Sequence, residues 1–106
     1  MKLEESIKVT KLFDIYGGLL ADSQAKLLKD FLFNDLGLTE IGKIYGISKQ
    51  AVDDAVRKGR VKLYKFESKL HLYERLTQIE EIRDALPDDD PSKPVVEKIV
   101  DLFKGD

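Results

Sequence analysis

An all-α fold built around a helix-turn-helix is predicted for this 106-residue chain by three observations. Apolar residues recur at steps of three and four along most of its length, whereas period-two runs bounded by turn pairs are almost absent. The segment LTEIGKIYGISKQAVDDAVR, Leu38 to Arg57, also meets the steric demands of two helices joined by a tight turn. The expected architecture is a three- to four-helix core without a wing, followed by a long helical arm and a C-terminal helix.

The first helix is expected from about Leu3 to Tyr16, with Ile7, Val9, Leu12, Phe13 and Tyr16 on or near one face, weakened by Gly17-Gly18. Leu19 and Leu20 lead out of it. Asp22 or Ser23 then offers a side-chain oxygen to cap a second helix, whose stripe is Ala25, Leu28, Phe31 and Leu32 and which ends over Asn34 to Gly37. A short third helix fits Leu38 to Tyr45, stopped by Gly46, which tolerates the left-handed conformation common at helix C-termini. Ser48 caps a fourth helix in which Val52, Val56, Leu63, Phe66, Leu70, Tyr73, Leu76 and Ile79 keep helical spacing almost to Leu86. That pattern predicts one very long helix, with Gly59 allowing a kink or break. Pro87 to Pro94 is the only linker-like stretch, and Val95, Ile99, Leu102 and Phe103 predict a last amphipathic helix. The domain reading is a helical domain over 1–62 containing the helix-turn-helix (38–57). An arm over 63–106, with its acidic linker (87–94) and last helix, is not an independent domain.

Composition sets the function classes. With 42% apolar and 36% charged residues, 3 Pro and 7 Gly, the chain has a core to build and is neither disordered nor collagenous. Zero Cys excludes disulfides, thiolate metal sites and Cys nucleophiles, and makes the cytoplasm the expected compartment. Glu4 and Glu5 precede any apolar run, and no stretch approaches ~18 consecutive apolar residues, so neither secretion nor membrane insertion is expected. The formal net charge is -2, but its distribution is uneven: residues 48–69 carry seven basic and three acidic groups (+4), residues 70–106 five and ten (-5).

The positive charge coincides with the second helix of the predicted motif. Ile41, Tyr45, Ile47, Val52 and Ala55 are expected inside it, with Gly42 small at a close crossing. Ser48, Lys49, Gln50, Asp53, Asp54 and Arg57 are expected outside. Lys49 and Gln50 lie near the helix start, where base edges are approached, and Arg57, Lys58, Arg60 and Lys62 follow as phosphate partners. The expected nucleic-acid-binding set is therefore Ser48, Lys49, Gln50, Arg57, Lys58, Arg60 and Lys62. Asp53 and Asp54 oppose duplex reading, because a phosphate backbone repels carboxylates on the same face.

The stretch from Leu12 to Leu76 resembles the YlxM family. The resemblance is carried by Leu12-Phe13-Asp14, the Leu19-Leu20-Ala21-Asp22-Ser23-Gln24 junction, Ile47-Ser48-Lys49-Gln50-Ala51-Val52 and Lys69-Leu70-His71-Leu72. It implies a small all-helical bacterial protein with a helix-turn-helix like that of sigma-factor region four. It also implies association with the signal recognition particle, frequent dimerisation and a regulatory role in that pathway. Lys49 stands where the family usually has Arg, and Asp53 where Tyr is common, while the tail from Pro87 is poorly covered.

Other chemistries fit less well. Gly37 to Ile44 comes within one residue of a phosphate-binding loop, but Ile44 supplies no hydroxyl for Mg²⁺ and no strand precedes it. His71, the only histidine, has no second imidazole or thiol to complete a transition-metal site and reads as a helix-surface or interface residue. Asp88-Asp89-Asp90 lacks the Gly and distant Glu of a calcium loop, so a solvated linker is expected. Tyr64, Phe66 and Tyr73 share helical spacing with Leu63, Leu70 and Leu76, which reads as core or interface rather than base stacking.

The sequence therefore predicts a non-enzymatic, cytoplasmic regulator with no cofactor, no metal and no membrane contact. Its expected partners are the particle's RNA, its GTPase or both, reached through a positive strip that also includes Lys65. A transcription regulator reading duplex DNA as a dimer is the alternative, and a docking adaptor without nucleic acid a third reading. A homodimer is expected through Leu63, Phe66, Leu70, Tyr73 and Leu76, because the stripe is longer than a three-helix domain covers.

Overall fold

A computed structural model describes residues 2–104. It contains α1 (Leu3–Tyr16), a 3-10 turn (Gly17–Leu19), α2 (Asp22–Phe33), α3 (Leu38–Tyr45), α4 (Lys49–Leu70), α5 (Leu72–Ala85) and α6 (Lys93–Lys104). No strand occurs among the described residues. The molecule is elongated, 53 × 26 × 24 Å, and none of its described helices is long and apolar enough to cross a membrane.

The core forms where α1, α2 and α3 pack on α4, the helix with the most extensive partners. Val9, Leu12 and Tyr16 of α1, Leu28 of α2, Ile41 of α3 and Val52, Val56 and Leu63 of α4 are buried together. Each set lies at helical spacing, so one face of each helix loses water while its charged face keeps it. Ile7 is the exception to the predicted α1 stripe: it is 49% exposed, because the helical period sets it on the side of α1 opposite buried Val9 and Tyr16. The second helix also starts differently from expectation. Asp22 is already its first residue, Ala21 precedes it, and no side chain caps it.

The helix-turn-helix appears at its predicted bounds. Gly46 closes α3 in the left-handed region (φ 68°), and the Ser48 hydroxyl accepts from the Ala51 amide at 3.0 Å to open α4. Gly42 is required by the turn itself: a Cβ there would stand 2.7 Å from the Ile47 carbonyl oxygen. Two expected inward residues face water instead. Tyr45 and Ile47 are each 40% exposed; Tyr45 turns outward to donate its hydroxyl to the Asp30 carboxylate on α2, and Ile41 fills the core.

The long helical pattern is interrupted at His71, not at Gly59. Gly59 lies buried inside an unbroken α4, where its missing side chain admits Leu28. His71 adopts φ 55°, ending α4, and α5 begins at the next residue. The expected boundary between residues 62 and 63 thus falls within α4, and Leu63 belongs to the same core as Val9 and Leu12.

This break changes what becomes of the predicted dimer stripe. α1 packs on both α4 and α5, so the stripe is covered within one chain. Leu63 and Leu76 are buried and unavailable to a second folded copy. Phe66 stacks near Tyr16 with ring centres 6.0 Å apart, and the Lys8 ammonium lies 5.4 Å and 5.8 Å from the rings of Tyr64 and Tyr73. Only Leu70, at 45%, remains substantially exposed among the large apolar members.

The acidic connection from α5 to α6 is ordered rather than loose. The Asp90 carboxylate accepts a hydrogen bond from the Ser92 amide, and Lys93 Nζ bridges the Leu86 carbonyl and the Asp88 carboxylate at 3.2 and 2.8 Å. The Lys93 ammonium holds the Asp88 carboxyl below its ordinary value. α6 then packs back on α5 through buried Val100, with Arg83 joining Glu80, Asp84 and Glu97 across the pair.

Candidate nucleic-acid interface

Because Val52, Val56, Gly59 and Leu63 turn inward, the opposite face of α4 is fixed toward solvent. Ser48, Lys49 and Gln50 are exposed at its start, and Arg57, Lys58 and Lys62 are exposed along its length. The helix continues well past the segment that a helix-turn-helix needs, and this extension carries much of its positive charge.

The predicted cations do not form one free strip. Arg57 and Lys58 both pair with Asp54, at 2.6 and 3.0 Å, and Lys58 foremost holds that carboxyl below its ordinary value. These spacings are i,i+3 and i,i+4, the natural neighbours on a helix surface. Arg60, more buried than the others, reaches Glu5 of α1 at 3.4 Å, and Lys62 donates to the Gln24 side chain at 3.2 Å. Asp54 is therefore a local counter-charge on the outer face, a role that reading it only as a phosphate repellent misses.

The structure does gather part of the set. Arg57 and Arg60 line one wall of a shallow groove of about 470 Å³ together with Glu5, Val61, Tyr64, Lys65 and Ser68. Lys49 and Gln50 lie turns away, at the N-terminal end of α4, and do not join it. Val61 and Ser68 were not singled out for contact by sequence, and Tyr64 was read as core or interface rather than as a base-stacking residue; the signal available was their shared position with Arg57 and Lys65 on one side of a helix longer than the motif. Three cations against one lining carboxylate, around exposed Val61 and half-buried Tyr64, make this groove suited to an anionic ligand with a planar or apolar part.

Among the described residues no group of three or more His, Asp or Glu side chains is placed to hold a metal ion. His71 stands apart at the α4–α5 junction, with Nδ1 3.2 Å from Glu74.

The fold and this face define an all-helical helix-turn-helix protein. The family described as "Putative helix-turn-helix protein, YlxM / p13 like" matches residues 3–103, and the chain belongs to it. A UPF0122 protein of Fusobacterium nucleatum is 37% identical over 95% of this chain and 97% of its own length. One from Malacoplasma penetrans is 36% identical over 83% and 82%, and one from Bacillus licheniformis 31% over 98% and 97%. No solved structure matches at a significant level.

Proposed function

We propose that this protein is a non-enzymatic cytoplasmic regulator of the signal recognition particle pathway that holds the particle's RNA against the outer face of α4. The pathway is taken from the family resemblance. The choice of RNA rests on one observation, the groove in which Arg57, Arg60 and Lys65 surround Val61 and Tyr64. Cations beside an aromatic ring suit a phosphate chain with unstacked bases, the form in which RNA is usually recognised. Asp53 and Asp54, in the first turns of α4, favour this over the close duplex approach that the start of a recognition helix makes.

Fluorescence anisotropy with labelled particle RNA and a DNA duplex of equal length, at two salt concentrations, tests the reading. RNA is expected to bind more tightly, with affinity falling as salt rises, and Arg57→Glu with Lys65→Glu is expected to abolish the preference. Salt-insensitive binding to the particle's GTPase alone would replace RNA by a protein partner. A second reading, a duplex-reading transcription regulator, is favoured by Ser48, Lys49 and Gln50 standing exposed at the capped start of α4. A DNA footprint lost in Lys49→Ala and Gln50→Ala would select it.

A further inference from the structure

α4 and α5 are separated by one residue, and the bond network at that residue is suited to two arrangements. His71 is non-glycine at φ 55°, a region that costs L residues free energy. The bend is held from outside the junction. Tyr16 donates its hydroxyl to Glu67 Oε1 at 2.6 Å and accepts from the Leu72 amide at 3.1 Å. Glu67 in turn accepts from the amides of Tyr73 at 2.9 Å and Glu74 at 3.1 Å. These three amides are the first donors of α5, which lacks a side-chain cap from the residue preceding it.

In a continuous helix the same three amides would donate to the carbonyls of Ser68, Lys69 and Leu70, so straightening at His71 orphans no backbone donor. What straightening loses is the packing of α5 and α6 on α1. A second copy restores it by supplying its own α1. The apolar spacing from Val52 to Ile79 runs through the junction without a Gly or Pro to mark it, which is the pattern an uninterrupted helix requires.

We propose that the chain exchanges its α5–α6 arm with a second copy: His71 enters the right-handed helical region, α4 and α5 join into one helix from Lys49 to Ala85, and each arm packs on the partner's α1. The contacts made are those of the bent chain, so the exchange needs no new interface chemistry, and the bend penalty at His71 favours it. Concentration drives the exchange, whereas the Tyr16–Glu67 lock and the entropy of association oppose it.

The chain has no Cys, so nitroxides can be placed cleanly at Lys58→Cys and Glu81→Cys, both exposed. Labelled full-length chain diluted into unlabelled chain reads the intrachain distance, alongside sedimentation from about 10 μM to 1 mM. The expected result is a concentration-dependent dimer with a separation of ~35 Å, the length of 23 residues of straight helix, and a shorter separation in the monomer. His71→Gly, which relieves the bend, is expected to raise the dimer dissociation constant about twenty-fold because two hinges contribute, and His71→Ala to lower it. A dimer that keeps the monomer's short distance, or wild type and His71→Ala both monomeric at 1 mM, would overturn the proposal.

Discussion

Replacing Gly42 by Ala tests whether the turn of the helix-turn-helix is set by a backbone contact. The new Cβ would stand 2.7 Å from the Ile47 carbonyl oxygen, and that oxygen cannot swing away freely, because the Ile47 amide donates to the Gly42 carbonyl at 2.9 Å. Overpacking of this kind costs about 1–3 kcal/mol, and straining the Ile47 bond adds about 1 kcal/mol, while Ala returns about 1 kcal/mol of helix propensity. The net loss is about 1–3 kcal/mol. Gly59→Ala is the control, since its Cβ would meet the Leu28 methyl at 3.1 Å and Gln24 Cγ at 3.5 Å, both on side chains. There the propensity gain offsets the crowding, and the change is expected within about 0.5 kcal/mol. Urea unfolding followed by helical circular dichroism separates the two. With a slope of about 1–1.5 kcal/mol/M, Gly42→Ala lowers the midpoint by about 1 M or more. A Gly42→Ala midpoint at or above wild type, or a larger loss in Gly59→Ala, would refute the assignment of the turn.

Two further tests bear on the hinge and the outer face. Tyr16→Phe removes both hydroxyl bonds and is expected to cost about 1–3 kcal/mol in the same assay. Burial first, then the hydrogen bond with Glu67, raises the Tyr16 pKa. Its contribution is therefore fully present below about pH 10 and lost as pH rises through the raised value, so the alkaline loss of stability should be shallower in Tyr16→Phe. Equal alkaline limbs in the two proteins would refute this. Asp54→Asn releases Arg57 and Lys58 from their shared partner, and is expected to tighten RNA binding several-fold at low salt and steepen its salt dependence. Unchanged binding would remove the outer face of α4 from the contact.

The parts of the fold that sequence reading recovers are those enforced within a few residues. Gly46 ends α3 because of its own backbone freedom, Ser48 opens α4 by bonding an amide three positions on, and Val52, Val56 and Leu63 repeat at the helical period. The parts it misses are decided from a distance. The break at His71 carries no Gly or Pro and is held by Tyr16, 56 residues before Leu72 in the chain, so a local pattern reads through it. Gly59 has the composition of a helix breaker but serves the approach of α2. Tyr45 has the spacing of a core residue and leaves the core for Asp30. At the candidate interface the charges were legible and their pairings were not. That Arg57 and Lys58 would share Asp54 follows from helix spacing, but that Arg60 would meet Glu5 depends on where α1 docks.

The placement of α1 also orders events during synthesis. Its anchor, Tyr16, bonds to Glu67 and Leu72, and Glu5 to Arg60, partners translated more than fifty residues later. At elongation rates near 5–20 residues per second, the first helix waits about 3–10 s for these α4 and α5 partners. The segment made first thus waits for partners made much later, and for that interval the nascent chain presents an incompletely mated apolar helix at its leading end.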